Sequence, residues 1–157
     1  MKLTEEQQQT LRAAVDRIIP PDEYPGGWES GVCEYLARQF EGDLLPVFRD
    51  YGEGLTALEA ESVALFHKRF ASLSDKERDT VLRHVEAGEV LTVWNVAPQV
   101  FFRLLVRTTA EGFYSDPEQG GNRNRVSWAM TGFEEPESAS PGMPARQRRW
   151  GGSGQPA

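Results

Sequence analysis

From Leu11 to Thr108, apolar side chains recur at steps of three and four residues, and no useful length of chain alternates between apolar and polar. Steps of three and four gather side chains on one face of a helix, whereas a half-buried strand needs a period of two. The chain is therefore expected to be all-α, with about five to six helices in a single compact domain over residues 1–133. With 157 residues, it is long enough to enclose a real core.

The punctuation divides the pattern. Thr4 and Gln7 have the spacing of a capping box, and Leu11, Ala14, Val15, Ile18 and Ile19 then give one apolar face. Pro20-Pro21 ends that helix, and the loop Asp22-Glu23-Tyr24-Pro25-Gly26-Gly27 follows. Asp22 and Glu23 lack the alternating oxygen spacing of a calcium loop and read as a solvated turn. A second helix is expected over 28–40, with Val32, Tyr35, Leu36 and Phe40 inward. Leu44, Val47, Phe48 and Tyr51 suggest a short third helix closed by Gly52-Glu53-Gly54, and Leu55 to Phe70 a fourth. Ser74 to Glu77 is another capping box, opening a helix that Gly88 ends. Pro98 suits the first turn of a last helix through Val100, Phe101, Leu104, Leu105 and Thr108.

Charge and composition narrow the partners. The net charge of -7 argues against nucleic acid or an anionic membrane as the main contact. The basic residues are nearly all arginine, which suits fixed ion pairs and interfaces. The longest apolar region, from Val90 to Val106, is interrupted by Asn95, Pro98, Gln99 and Arg103, so direct membrane insertion is not expected. From Glu134 onward, Pro, Gly, Ser, Glu and Arg dominate. Such a segment buries too little surface to offset its ordering entropy, so residues 134–157 are expected to form a disordered, flexible tail. Within it, Arg146, Arg148, Arg149 and Trp150 are a second candidate contact with an acidic partner.

The most distinctive stretch follows the last helix, as a glycine-rich C-terminal loop. Gly120 and Gly121 permit φ > 0 and close backbone approach, and Asn122, Arg123, Asn124 and Arg125 add many hydrogen-bond donors. Trp128 and Phe133 are large anchors that need burying, in the core or in an interface. The candidate partner-binding residues are Gly120, Gly121, Asn122, Arg123, Trp128 and Phe133, with Tyr114 and Asp116 setting the loop. The alternative is that this motif folds back on the chain's own helices as a C-terminal closure.

Glu111-Gly112-Phe113-Tyr114-Ser115-Asp116-Pro117, then Gly120-Gly121-Asn122-Arg123, Trp128 and Gly132-Phe133, resemble the gluconate 2-dehydrogenase subunit 3 family. The run Val15-Asp16-Arg17-Ile18-Ile19-Pro20 leading to Gly26-Gly27 is similar to that family too. The family comprises small gamma subunits of flavin-dependent sugar and sugar-acid dehydrogenases. The resemblance implies a non-catalytic accessory chain that binds no cofactor itself. FAD would lie in a large flavoprotein partner of the glucose-methanol-choline (GMC) type, with a cytochrome c or another electron acceptor taking the electrons. Many members carry an export signal, whereas Met1-Lys2-Leu3-Thr4-Glu5-Glu6-Gln7 contains no apolar run. A cytoplasmic location is therefore expected, with periplasmic co-export on a partner's signal as the alternative.

The residues themselves offer little catalytic machinery. Neither His67 nor His84 has a glutamate three positions earlier, so the Glu-x-x-His pairs of di-iron bundles are missing. No zinc-protease, dinucleotide, phosphate-loop or nucleophile-elbow motif occurs. Cys33 is the only cysteine and reads as a small buried hydrophobe. The competing readings are a partner-binding helical module unrelated to oxidoreductases and a stand-alone helical enzyme using His67, His84 and Cys33.

Overall fold

A computed structural model of the chain describes residues 1–133. The expected disordered tail, with Arg146, Arg148, Arg149 and Trp150, lies outside the described residues. Six α-helices form around one core: α1 (Glu5–Ile18), α2 (Val32–Gln39), α3 (Phe48–Phe66), α4 (Asp75–Ala87), α5 (Pro98–Tyr114) and α6 (Val126–Thr131). There are no strands among the described residues, so the all-α expectation holds.

Both capping boxes form. The Thr4 hydroxyl accepts from the Gln7 N–H while the Gln7 amide reaches back to Thr4, and Ser74 and Glu77 do the same for α4. Gly88 ends α4 in the left-handed conformation, and Pro98 sits in the first turn of α5. A two-pronged ion pair, Arg17 to Asp79 at 2.6 and 2.7 Å, ties α1 to α4. Its guanidinium holds the Asp79 carboxyl below its usual range.

Three helix boundaries differ from the sequence expectation. The expected third and fourth helices are one, because α3 runs unbroken through Gly52 and Gly54. A helix-interior glycine costs about 1 kcal/mol relative to alanine, and here Gly54 makes room for α5. A Cβ on Gly54 would lie 2.0 Å from Cδ2 of Phe101, whose ring takes that space. At the other end α3 stops at His67, which adopts φ 55°. Phe70 therefore belongs to the 3-10 turn Phe70–Ser72, where it is fully buried. The second helix begins at Val32, not Trp28, because Gly31 turns the chain at φ 88°.

The core is centred on Tyr51, which is fully buried. Its ring meets those of Phe40 and Phe101 edge-on at 5.0 and 6.0 Å. Its hydroxyl lies 3.1 Å from Thr108 Oγ1, which satisfies the one polar atom carried inside. α5 packs against α4, α2 and α3.

Two buried carboxylates on α3 fasten neighbouring segments. Glu59 accepts from Thr10 Oγ1 at 3.0 Å and from the Phe70 N–H at 3.1 Å. Glu61 accepts from the N–H groups of Leu91 and Thr92 at 2.8 and 3.1 Å, and from Thr92 Oγ1 at 2.7 Å. A buried carboxylate is tolerable only with such a set of donors.

Replacing Gly54 by Ala is expected to destabilise the chain by about 1–3 kcal/mol in urea unfolding, because the added methyl overpacks the Phe101 ring. Gly42→Ala, where the nearest atom would be 3.9 Å away, is the control and should leave the midpoint within about 0.5 kcal/mol. Equal effects would show that the α3–α5 approach is not limiting.

Candidate partner-binding site

After α5 the chain makes two 3-10 turns, Pro117–Gln119 and Arg123–Arg125, and then α6. Asp116 sets the first turn by accepting from the Glu118 N–H at 2.9 Å. Gly120 leaves that turn at φ 98°, and its carbonyl lies so near Gly31 that a Cβ there would come within 2.6 Å of it. Gly121 approaches more closely still: a Cβ on it would fall 1.9 Å from the carbonyl oxygen of Gly112. That carbonyl accepts from the Asn122 N–H at 3.1 Å and from Ser115 Oγ at 3.0 Å. The double glycine is thus where the returning chain lies against the last turn of α5.

Of the polar side chains that follow, Asn122 and Arg123 are engaged inside the chain. Asn122 is fully buried, and its Oδ1 accepts from the Ser127 N–H at 2.9 Å, fixing the start of α6. Asn122, Asn124 and Arg125 all adopt φ between 46° and 58°. Asparagine tolerates that region, whereas arginine adopts it at some strain. Arg123 bridges to the N-terminal side of α2: its N–H donates to Ser30 O at 2.7 Å, and its guanidinium meets Glu34 Oε1 at 2.7 Å and Glu29 O at 3.3 Å. The motif closes the fold on its own helices. In the sequence Ser30, Glu29 and Glu34 gave no sign of this role, since they lie 89 to 94 positions from Arg123.

The aromatic members are placed differently. Tyr114 and Phe133 are each 54% exposed, and Trp128 is half-buried. The Trp128 and Phe133 rings lie 5.2 Å apart, and the Arg125 guanidinium stands 5.8 Å over Trp128. Tyr114 meets Phe113 edge-on at 5.1 Å. Met130, which the sequence did not single out, is also exposed on α6. Tyrosine, tryptophan, phenylalanine, methionine and arginine are the residue types enriched in protein–protein contacts. Tyr114, Trp128, Met130 and Phe133 are thus the large apolar side chains that the closing segment leaves exposed or half-buried.

The residues a stand-alone enzyme would need lie on separate elements. Cys33 is on α2, and burial, with a smaller contribution from the Glu34 charge, pushes its thiol up to about 12, so it stays protonated near neutrality. His67 ends α3 in solvent, and His84 is half-buried on α4. The neighbouring Tyr35 phenol is also raised, first by burial and then by the Glu111 and Asp43 carboxylates. Among the described residues, no group of three or more His, Cys, Asp or Glu side chains is arranged to hold a metal. A surface cleft of about 440 Å³ between α1, α3 and the loop before α5 contains the Arg49–Glu53 ion pair and no histidine or cysteine. No helix among the described residues is long and apolar enough to cross a membrane.

Compared with known proteins, residues 5–135 match the model of a family described as gluconate 2-dehydrogenase subunit 3. No curated protein and no solved structure matches the chain.

The closure geometry separates two substitutions. Gly121→Ala has no room and should lower stability by about 2 kcal/mol or more, whereas Arg123→Ala removes a half-exposed ion pair worth about 1 kcal/mol or less. Thermal and denaturant unfolding of the full chain reads both. A Gly121→Ala chain as stable as the parent would disprove the close approach.

Proposed function

The chain belongs to the gluconate 2-dehydrogenase subunit 3 family, and from that membership we propose that it serves as a non-catalytic accessory subunit of a GMC-type flavoprotein dehydrogenase. The larger partner would hold FAD and oxidise a sugar, sugar acid, polyol or glycoside at a CH–OH group. A cytochrome c or another acceptor would then take the electrons. The role of this chain is to bind the flavoprotein and stabilise its fold.

The observation that carries this reading is the exposed aromatic end of the closing motif, within the matched residues. Gly120, Gly121, Asn122 and Arg123 act as its support, since their hydrogen bonds and close approaches hold the turn leading into α6 against α5 and α2. Tyr114, Trp128 and Phe133, joined by Met130, are the contact residues. Rigid aromatic side chains lose little conformational entropy on docking, and their partly apolar surface gains from leaving water. A mobile loop presenting the same rings would lose part of that gain to its own ordering.

The experiment is co-expression of the full chain with a GMC-type flavoprotein from the same source, followed by affinity capture and measurement of subunit ratio and flavin absorbance. The parent chain should yield a yellow complex that reduces a dye when given sugars. Trp128→Ala should weaken the complex by about 2–4 kcal/mol, as for a central anchor. Tyr114→Ser with Phe133→Ser, both at half-exposed positions, should weaken it by more than the roughly 1–3 kcal/mol of stability that losing the two ring contacts costs the lone chain. A folded parent chain that captures no flavoprotein would overturn the reading.

A further inference from the structure

A buried donor or acceptor is almost always hydrogen-bonded, because an unpaired one has given up its contacts with water and gained nothing inside. Two side-chain atoms at the start of α6 depart from that rule. Asn122 Nδ2 and Ser127 Oγ are both buried, and neither meets a protein group among the described residues. Both residues are themselves fully buried. The two atoms belong to one arrangement, since Asn122 Oδ1 accepts from the Ser127 N–H at 2.9 Å. Nδ2 shares a carbon with that Oδ1, and Oγ hangs from the Cα next to that N–H. Covalent geometry therefore keeps both atoms within a few ångströms of a single hydrogen bond.

The groups around them are already in use. The Asn122 N–H donates to the Gly112 carbonyl at 3.1 Å, and the same carbonyl accepts from Ser115 Oγ at 3.0 Å. The Ser127 carbonyl accepts from Thr131 Oγ1 at 2.9 Å. Arg123 is committed to Glu29, Ser30 and Glu34. Turning the Asn122 amide over would not help, because its NH₂ would then face the Ser127 N–H, donor against donor.

The chemistry of the two atoms selects what can satisfy them. Nδ2 only donates, so the occupant must offer a lone pair, which excludes a metal cation. Neither side chain is charged, so an anion would be buried there without compensation from them. Water is neutral, accepts from an amide and either donates to or accepts from a hydroxyl. Internal waters take two to four such partners.

We propose that the closing motif contains one buried water as a structural member, accepting from Asn122 Nδ2 and hydrogen-bonded to Ser127 Oγ. It ties the turn at Asn122 to the first turn of α6, in parallel with the direct bond from the Ser127 N–H. The Asn122 amide is then held at its oxygen and at its nitrogen, one residue before the Trp128 ring leaves the backbone. The site does not depend on which protein the chain binds.

Two measurements on the full chain test it. In a high-resolution crystal structure, a water is expected within ~2.7–3.2 Å of both Asn122 Nδ2 and Ser127 Oγ. Protein partners for both atoms, or a dry contact between them, would overturn the proposal. Ser127→Ala deletes one of the two contacts of the water, and an unchanged fold is checked by melting temperature. Its residue-127 amide, corrected for intrinsic rate, should exchange its hydrogen at least two-fold faster than in the parent, because the Asn122 amide has lost its second tether. A hydroxyl with no water predicts the opposite sign, since removing an unpaired buried group and installing the better helix former both stabilise α6. Exchange less than two-fold faster, or slower, overturns the bridge.

Discussion

How closely α5 can lie against α3 is set by a single crossing. At the crossing, Gly54 supplies no side chain and the Phe101 ring fills the space. Close by, the Tyr51 hydroxyl meets Thr108, so the one polar atom of that buried ring is satisfied. Because interiors pack at crystal-like density, a methyl group added at such a point forces a shift of the whole helix. The loop before α5 and the closure after it are both continuations of that helix. Their positions, and so the surfaces they carry, follow from the crossing.

Glu59 and Glu61 extend this control. They are two residues apart on α3 and serve different neighbours, the first holding α1 and the buried Phe70 turn, the second holding the loop at 91–92. Removing the donors from either would leave a buried charge without compensation, which is far more costly than the net gain from the pair. A carboxylate in this setting therefore restricts its partner segment to one arrangement. For a loop whose side chains face outward, such restriction turns flexible apolar residues into a fixed surface.

Much of this was legible in the sequence. The two capping boxes, Gly88 and Pro98 marked helix ends by local chemistry alone, and the apolar steps gave the inward faces of α1 and, apart from the exposed Val100, of α5. Gly52-Glu53-Gly54 was read as a stop because glycine weakens a helix locally, and only the packing of Phe101, some fifty positions away, reveals why the helix continues. Glu61 carried a signal that could have been used. It lies three residues after Leu58 on the buried side of α3, where a carboxylate requires partners. The closing motif was recognisable by its glycines and aromatics, but the division of labour inside it was not. Asn122 and Arg123 look alike in sequence as donors, and only the fold buries the first and sets the second beside Glu34. Leu91 and Val93 lay in the long apolar region from Val90 to Val106, where nothing in the sequence set them apart as exposed.

The bridge from Arg123 to Glu34 also has a consequence for the order in which the protein is made. The two residues are 89 positions apart, and at about 5–20 residues per second, roughly 4–18 s separate their synthesis. During that interval the N-terminal side of α2 has no partner at the Ser30 carbonyl or the Glu34 carboxylate. The α2 end of the nascent domain stays open until nearly the whole helical region has left the ribosome. The Arg123 bridge, and with it this part of the support beneath α6, can therefore form only once residue 123 has been made.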